Sequence, residues 1–179
     1  MKYLICSDIH GSKKYARMFF DEVDKLNPDK VIILGDLYYN GSRNDPPEDY
    51  SSKEVVKIIN PYKDKLVVCK GNCDAEVDEM VSEFTFGEII RMKLNDKNAI
   101  LAHGHHINFD HLPVEQFDIF MQGHTHISRL DFDRGVLFVN PGSISLPKDN
   151  YHSYVYLDEK EIKLIDLLTK KTIKSIKLD

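Results

Sequence analysis

Cysteine is scarce in this chain: Cys6, Cys69 and Cys73 are the only three among 179 residues. So sparse and odd-numbered a set fits reduced thiols and not a disulfide framework, which makes the cytoplasm the expected compartment. No stretch of about 18 apolar residues is present, so no membrane-spanning helix is expected. The start, Met1-Lys2-Tyr3-Leu4-Ile5-Cys6, runs at once into Ser7 and Asp8 and is too short for a signal-peptide core. Basic charge is also in deficit, with 24 Lys and Arg against 29 Asp and Glu, a net charge of −5. That balance offers no footprint for a nucleic-acid backbone, so stable duplex binding is not expected. It also repels anionic substrates mildly, a repulsion that bound divalent ions would overcome locally. There are no internal repeats, low-complexity tracts or composition breaks. One domain over 1–179 is expected, long enough to bury roughly 70% of its unfolded surface.

What is present is a series of short apolar runs: Tyr3 to Cys6, Val31 to Leu34, Leu66 to Cys69, Ala99 to Ala102 and Ile119 to Met121. Continuous runs of this length suit strands covered on both faces. Between the first two, Ala16, Phe19, Phe20, Val23 and Leu26 recur at helical spacing. Ser12 can cap that helix, and Asn27-Pro28 ends it. A second helix is expected from Ser52 to Ile59, and a short acidic third around Ala75 to Phe84. After Val136 the pattern changes. Val136 to Val139, Tyr154 to Leu157, Ile162 to Leu167 and Thr172 to Leu178 follow one another without room for a helix, and partly alternate with lysines. This reads as an antiparallel meander with one wet face. The expected fold is an α/β sandwich of two packed sheets flanked by helices.

Nearly every apolar run closes on a cluster of metal-competent side chains. In order these are Asp8-Ile9-His10, Gly35-Asp36, Gly71-Asn72-Cys73-Asp74, His103-Gly104-His105 and Gly123-His124-Thr125-His126. Strand ends rim one edge of a sheet, where side chains from distant chain positions converge. Asp8 and His10, two apart at a strand end, should point to the same side. Asp36, directly after a buried strand, is well placed to bridge two ions, and Asn72 adds a neutral carbonyl if its turn aims inward. His124 and His126 have a spacing that allows them to reach different ions. His105 and His106 are expected in outer-shell or loop roles, and His111 and His152 at the surface. Each cluster alone is also what a polar turn looks like; five in this order are not. The donors are oxygen and nitrogen without sulfur, which suits a pair of Mn²⁺, Fe or Zn ions. The residues therefore read as a two-metal hydrolase.

The order Asp-x-His, Gly-Asp, Gly-Asn-x-Asp, His-Gly-His, Gly-His-Thr-His resembles the calcineurin-like metallophosphoesterase superfamily. The likeness runs from Asp8 to His126 and extends through Asn140-Pro141-Gly142-Ser143-Ile144-Ser145 to about Pro147. The size, the Gly-Asn-Cys-Asp form and Arg43-Asn44 after the second cluster resemble its small YfcE-type phosphodiesterases. The resemblance implies that Asp8, His10, Asp36 and His126 hold one ion. It implies that Asp36 bridges to a second, completed by Asn72, His103 and His124. Two ions about 3.5–4 Å apart would acidify a bridging water, whose hydroxide attacks the phosphorus in line with the leaving oxygen. Asp36, Asn72 and His103 are the implied catalytic group. The expected metal is Mn²⁺, with Fe, Zn, Ni or Co as alternatives, and the expected partner is a small phosphate ester. A homodimer or higher homo-oligomer is compatible with the resemblance.

Larger relatives carry histidine after the asparagine of the third motif, where it is thought to protonate the leaving group. Here that residue is Cys73. A thiol with an ordinary pKa of about 8.5 is a poor general acid in place of imidazole, which favours leaving groups that depart as stable anions. Asp74 in the same turn is expected to orient neighbours. The loop from Tyr38 to Tyr50 carries Arg43 and Asn44 beside Asp36. With Cys73 these are the candidate substrate contacts, since guanidinium grips phosphate with a planar pair of hydrogen bonds. The bland alternative pairs Arg43 with Asp45 or Glu48. Two other functions stay open: a phosphomonoesterase with the same centre, and a protein-binding scaffold like the retromer subunit of this fold.

Overall fold

In the computed structural model, which describes residues 1–178, successive side chains of the first strand serve two different cores. In Tyr3–Cys6 (β1), Tyr3 and Ile5 join the layer between two sheets, whereas Leu4 and Cys6 pack under helices. Helix Lys13–Leu26 (α1) begins at Ser12, whose Oγ accepts from the Tyr15 amide, and ends at Asn27 in the left-handed conformation. Strand Lys30–Ile33 (β2), helix Ser52–Ile59 (α2) and strand Leu66–Cys69 (β3) follow, with a 3-10 segment over Asn60–Lys65 between the last two. The third helix, Glu76–Val81 (α3), is shorter than its acidic stretch suggested.

Strands Phe86–Gly87 (β4), Ile89–Leu94 (β5), Lys97–Ala102 (β6), Ile119–Met121 (β7), Ser128–Asp133 (β8) and Val136–Pro141 (β9) come next. Ser153–Leu157 (β10), Glu161–Asp166 (β11) and Thr172–Lys177 (β12) complete the described elements. One sheet runs β12-β11-β10-β1-β2-β3-β4 and the other β5-β6-β7-β9-β8. The strand from Val136 does not join the expected meander. It crosses into the second sheet, parallel to β7 and antiparallel to β8, leaving β10 to β12 as the meander. β5 and β8, absent from the sequence expectation, are the two edges of that sheet.

Three apolar layers hold the sandwich together. Leu94, Leu101, Met121 and Val139 meet Ile5, Ile32, Leu34 and Val155 between the sheets. Helices α1 and α2 cover the first sheet through Phe19, Phe20, Val55 and Ile59. Among the described residues no helix covers the outer face of the second sheet. Phe109, Leu112 and Phe117, from the long loop after β6, cover Ile100, Phe120 and Phe138 instead. Parallel pairing of β1 with β2, of β2 with β3, and of β6 with β7 sends the C-terminal ends of all five strands towards one rim. Among the described residues no helix is long and apolar enough to cross a membrane.

Candidate metal centre

Pairing continues past the strands at that rim. The amides of Asp8 and His10 donate to the carbonyls of Gly35 and Asp36, and the Gly123 amide donates to His103. The seven donor residues expected from the sequence meet there. His10 Nε2 lies 3.5 Å from Asp8 Oδ1 and 3.7 Å from Asp36 Oδ2. His126 Nε2 lies 3.2 Å from the same Asp8 oxygen. On the other side, His103 Nε2 is 3.3 Å from Asp36 Oδ2, 3.1 Å from Asn72 Oδ1 and 3.2 Å from His124 Nδ1. Asp36 Oδ2 thus sits between two sets of donors. Strand alternation is not what aligns Asp8 with His10. Both lie beyond β1 with positive φ, as do Asp36, His124 and His126. Asp and His tolerate this left-handed region better than most residues, though it remains sparsely populated.

The imidazole tautomers bear on what the centre binds. Nδ1 of His10, His103 and His126 lies 2.7–2.8 Å from the carbonyls of Tyr39, Leu34 and Leu146. A carbonyl only accepts, so each Nδ1 carries a proton, and an Nε2 that gives up its own proton turns a lone pair inward. The Nε2 atoms of His10 and His126 then face each other at 3.1 Å. That contact needs either a proton shared between the two nitrogens or a metal ion held by both. Asp8 Oδ1, buried and without a hydrogen-bond partner among the described residues, makes the same demand. Burial would raise the Asp8 and Asp36 carboxyls. The neighbouring imidazoles, His10 and His126 for Asp8 and His103 for Asp36, nevertheless hold both below the usual range. Burial opposes charge on His103, yet the two carboxylates push it up to about 9. The donor set fits divalent metal.

Residues around the donors fix them. Asp74, buried, accepts from the Asp36 and Gly71 amides on Oδ2 (2.8 and 2.7 Å) and from the Leu37 amide on Oδ1 (2.8 Å). Ser7 Oγ donates to Asp8 Oδ2 at 2.5 Å, and Ser143 and Ser145 both donate to the Asp8 carbonyl. Asn140 Nδ2 donates to the Gly123 carbonyl, steadying the His124–His126 loop. A Cβ on Gly71 would overlap Asp36, and one on Gly123 would overlap Ser7, so both positions need glycine for close approach. Ser143 and Ser145 are legible in the sequence only as part of the stretch from Asn140 to Ser145, and Ser7 carries no signal of its own.

The family profile described as calcineurin-like phosphoesterase superfamily domain matches residues 1–161. The chain belongs to this superfamily. Membership makes it a phosphoric-ester hydrolase that works with divalent metal ions, in keeping with the donor clusters. This phosphoesterase is 34% identical to Phosphodiesterase YfcE of Escherichia coli K12, over 100% of this chain and 99% of that one. The solved structure of that phosphoesterase superposes with a TM-score of 0.96 at 31% identity, each chain covered in full. A single-substitution variant of Vps29 from Entamoeba histolytica shares the fold, with a TM-score of 0.72 and 21% identity over the whole of both chains.

In this phosphoesterase His10, Asp36, Asn72, His124 and His126 floor a cleft of about 770 Å³, walled by Tyr39, Arg43, Asn44, Cys73, Thr125 and Lys148 among others. Arg43 is exposed and makes no ion pair among the described residues, while Glu48 is taken by Lys14 at 2.7 Å. Asn44 lines the cleft, but its Nδ2 donates to the Asn40 backbone carbonyl at 2.8 Å and its backbone carbonyl accepts from Asn40 Nδ2, closing the loop on itself. That spends part of the hydrogen-bonding capacity assigned to substrate. Burial and the Asp36 carboxylate push the Cys73 thiol up to about 12, so it stays protonated. Lys148 is a cleft residue that sequence reasoning missed, because nothing local marks a lysine after a proline as facing a distant loop. His111 is exposed as expected, but His152 is not a free surface residue. It is half-buried, stacks on Tyr15 at 4.2 Å and shares its Nδ1 with the Ile144 carbonyl.

Proposed function

We propose that this chain is a Mn²⁺-dependent phosphodiesterase acting on small phosphate esters in the cytoplasm, as a single domain. The observation that carries the reading is the Asp36 carboxylate, one oxygen of which lies between the His10 and His103 donors. In this reading Asp8, His10, Asp36 and His126 hold one ion, and Asp36, Asn72, His103 and His124 the other. When bound, two such ions supply an acidified water as nucleophile and offset charge on the phosphoryl group. The protein's own groups do the rest. The Tyr39, Leu34 and Leu146 carbonyls keep three imidazoles in the ligating tautomer. Asp74 holds Asp36 and the Gly71–Asn72 turn in register. Arg43 and Lys148 offer positive charge to the phosphate's non-bridging oxygens or its second ester arm, which helps an acidic protein retain an anion. Cys73, protonated and beside Asp36, fits a polar wall and not a nucleophile. Its weak acidity favours aryl or anhydride leaving groups that need no proton. A homodimer or larger homo-oligomer belongs to the same proposal.

Metal-stripped protein, reconstituted with each ion in turn, should hydrolyse aryl phosphate diesters fastest with Mn²⁺, and aryl monoesters and nucleotides more slowly. Faster monoester turnover would make it a phosphomonoesterase. No turnover with any ion would favour a scaffold.

A further inference from the structure

A second group of nitrogen and oxygen donors lies just outside the centre. In the antiparallel β5–β6 pair, Ile89 is in register with Ala102, so Glu88 and the residues after Ala102 leave the pair at the same end. Ligand atoms of Glu88, His105 and His106 there all lie within 4.8 Å of one another. The two imidazoles are close, with ring centres 4.0 Å apart. No ion pair joins Glu88 to either ring among the described residues, so a salt bridge does not account for the grouping. His105 supplies the second observation. Its Nδ1 is one of two buried side-chain polar atoms without a hydrogen-bond partner among the described residues, and the other is Asp8 Oδ1 in the metal centre. An orphaned buried nitrogen costs about 1–3 kcal/mol unless something pairs with it.

We infer that Glu88, His105 and His106 form a third divalent-ion site, taking an ion of the Zn²⁺ class, on the flank of the metal centre. Two imidazoles and one carboxylate are a donor set that zinc accepts with water completing the sphere. Zinc bonds of about 2.0–2.2 Å at the tetrahedral angle place donors roughly 3.3–3.6 Å apart. Rotation of the two exposed side chains, Glu88 and His106, closes the set from its present spread. Two of three ligands being exposed, the ion exchanges readily. The site adjoins the centre: the His105 ring is 5.4 Å from His103 and 6.3 Å from His124. It shares no donor with that centre, so it does not depend on the phosphodiesterase reading.

Equilibrium dialysis of the full chain against Zn²⁺, with zinc counted by mass spectrometry, tests the site. The parent protein should take up three ions per chain, and His106→Ala and Glu88→Gln two. Loss of an outer-shell partner alone weakens metal binding about 10–100-fold, so loss of one of three direct ligands should weaken the third ion at least that much. His106 and Glu88 make no hydrogen bonds among the described residues, so their variants should fold, which circular dichroism checks. In Asp36→Asn the His106-dependent ion should persist while the centre loses zinc, which separates the two assignments. Equal zinc content in the parent and in either variant overturns the third site, however many ions the centre holds.

Discussion

Asp74 binds no ion in this arrangement, yet its loss should disturb both the fold and the centre. Asp74→Asn keeps size and shape. Its remaining oxygen can still accept from the Asp36 and Gly71 amides, but its new NH₂ group must then face the Leu37 amide, now 2.8 Å from a carboxylate oxygen. One charge-assisted bond is lost and two donors are opposed, a cost of about 1.5–3 kcal/mol. For a chain of this size that lowers Tm by roughly 3–12 °C. Asp74→Ala would orphan three amides and risks complete unfolding, so the amide variant is the informative one. Burial, with Asp36 nearby, pushes the Asp74 carboxyl up to about 6, so measurements belong near pH 8, where it is ionised. Calorimetry on metal-free protein reads the stability, and metal titration reads the displacement of Asp36 and Asn72. A Tm within about 1 °C of the parent, with metal affinity unchanged, would refute the positioning role.

Exhaustive chelation should abolish hydrolysis reversibly while circular dichroism stays largely unchanged, because the apolar layers supply most of the burial energy. Hydrolysis that survives verified metal removal would exclude the two-metal mechanism. Asp36→Asn should cost more metal and turnover than loss of any other donor; two ions per chain at normal rates would end its bridging assignment. Arg43→Ala should lower kcat/KM roughly 10- to 150-fold with both ions retained, the value of one charge-assisted hydrogen bond. Unchanged kinetics would leave Arg43 a bystander. Cys73→Ala should keep substantial activity on aryl esters, and a phosphorylated Cys73 trapped during turnover would contradict this.

The parts legible in the sequence are those in which one chemical demand acts locally. The α1 stripe of Ala16, Phe19, Phe20 and Val23, its Ser12 cap and Asn27 end state the helix almost in full. Strands buried on both faces announce themselves as apolar runs, and the donors stand out because they close those runs. Edge strands do neither. In β8, only Leu130 of Ser128–Asp133 is buried, and β5 alternates Arg91 and Lys93 with apolar residues at a half-exposed rim. The choice of sheet for β9 is also non-local: Val136–Val139 has the same composition in either sheet, and the pairing with β7 decides it. Lys148 and Asp74 owe their places to loops brought together by the fold, although the turn that holds Asp74 could be read in advance.

The left-handed backbone at Asp8, His10, Asp36, His124 and His126 changes how this centre must be probed. Alanine there removes a donor and also places an ill-suited residue at positive φ, so a drop in stability or metal content after alanine substitution mixes two causes. Asparagine tolerates the conformation and isolates the loss of charge at the aspartates. Glycine removes the donor and relaxes the backbone together. At His124, whose φ is 66°, the glycine variant should exceed the alanine variant in metal-free stability by about 1–2 kcal/mol, the cost of a Cβ in that region. These positions are therefore filtered twice, once for a donor atom and once for a backbone few residues accept. Asp, Asn and His pass both filters, whereas an added methylene in glutamate would alter the reach without easing the backbone.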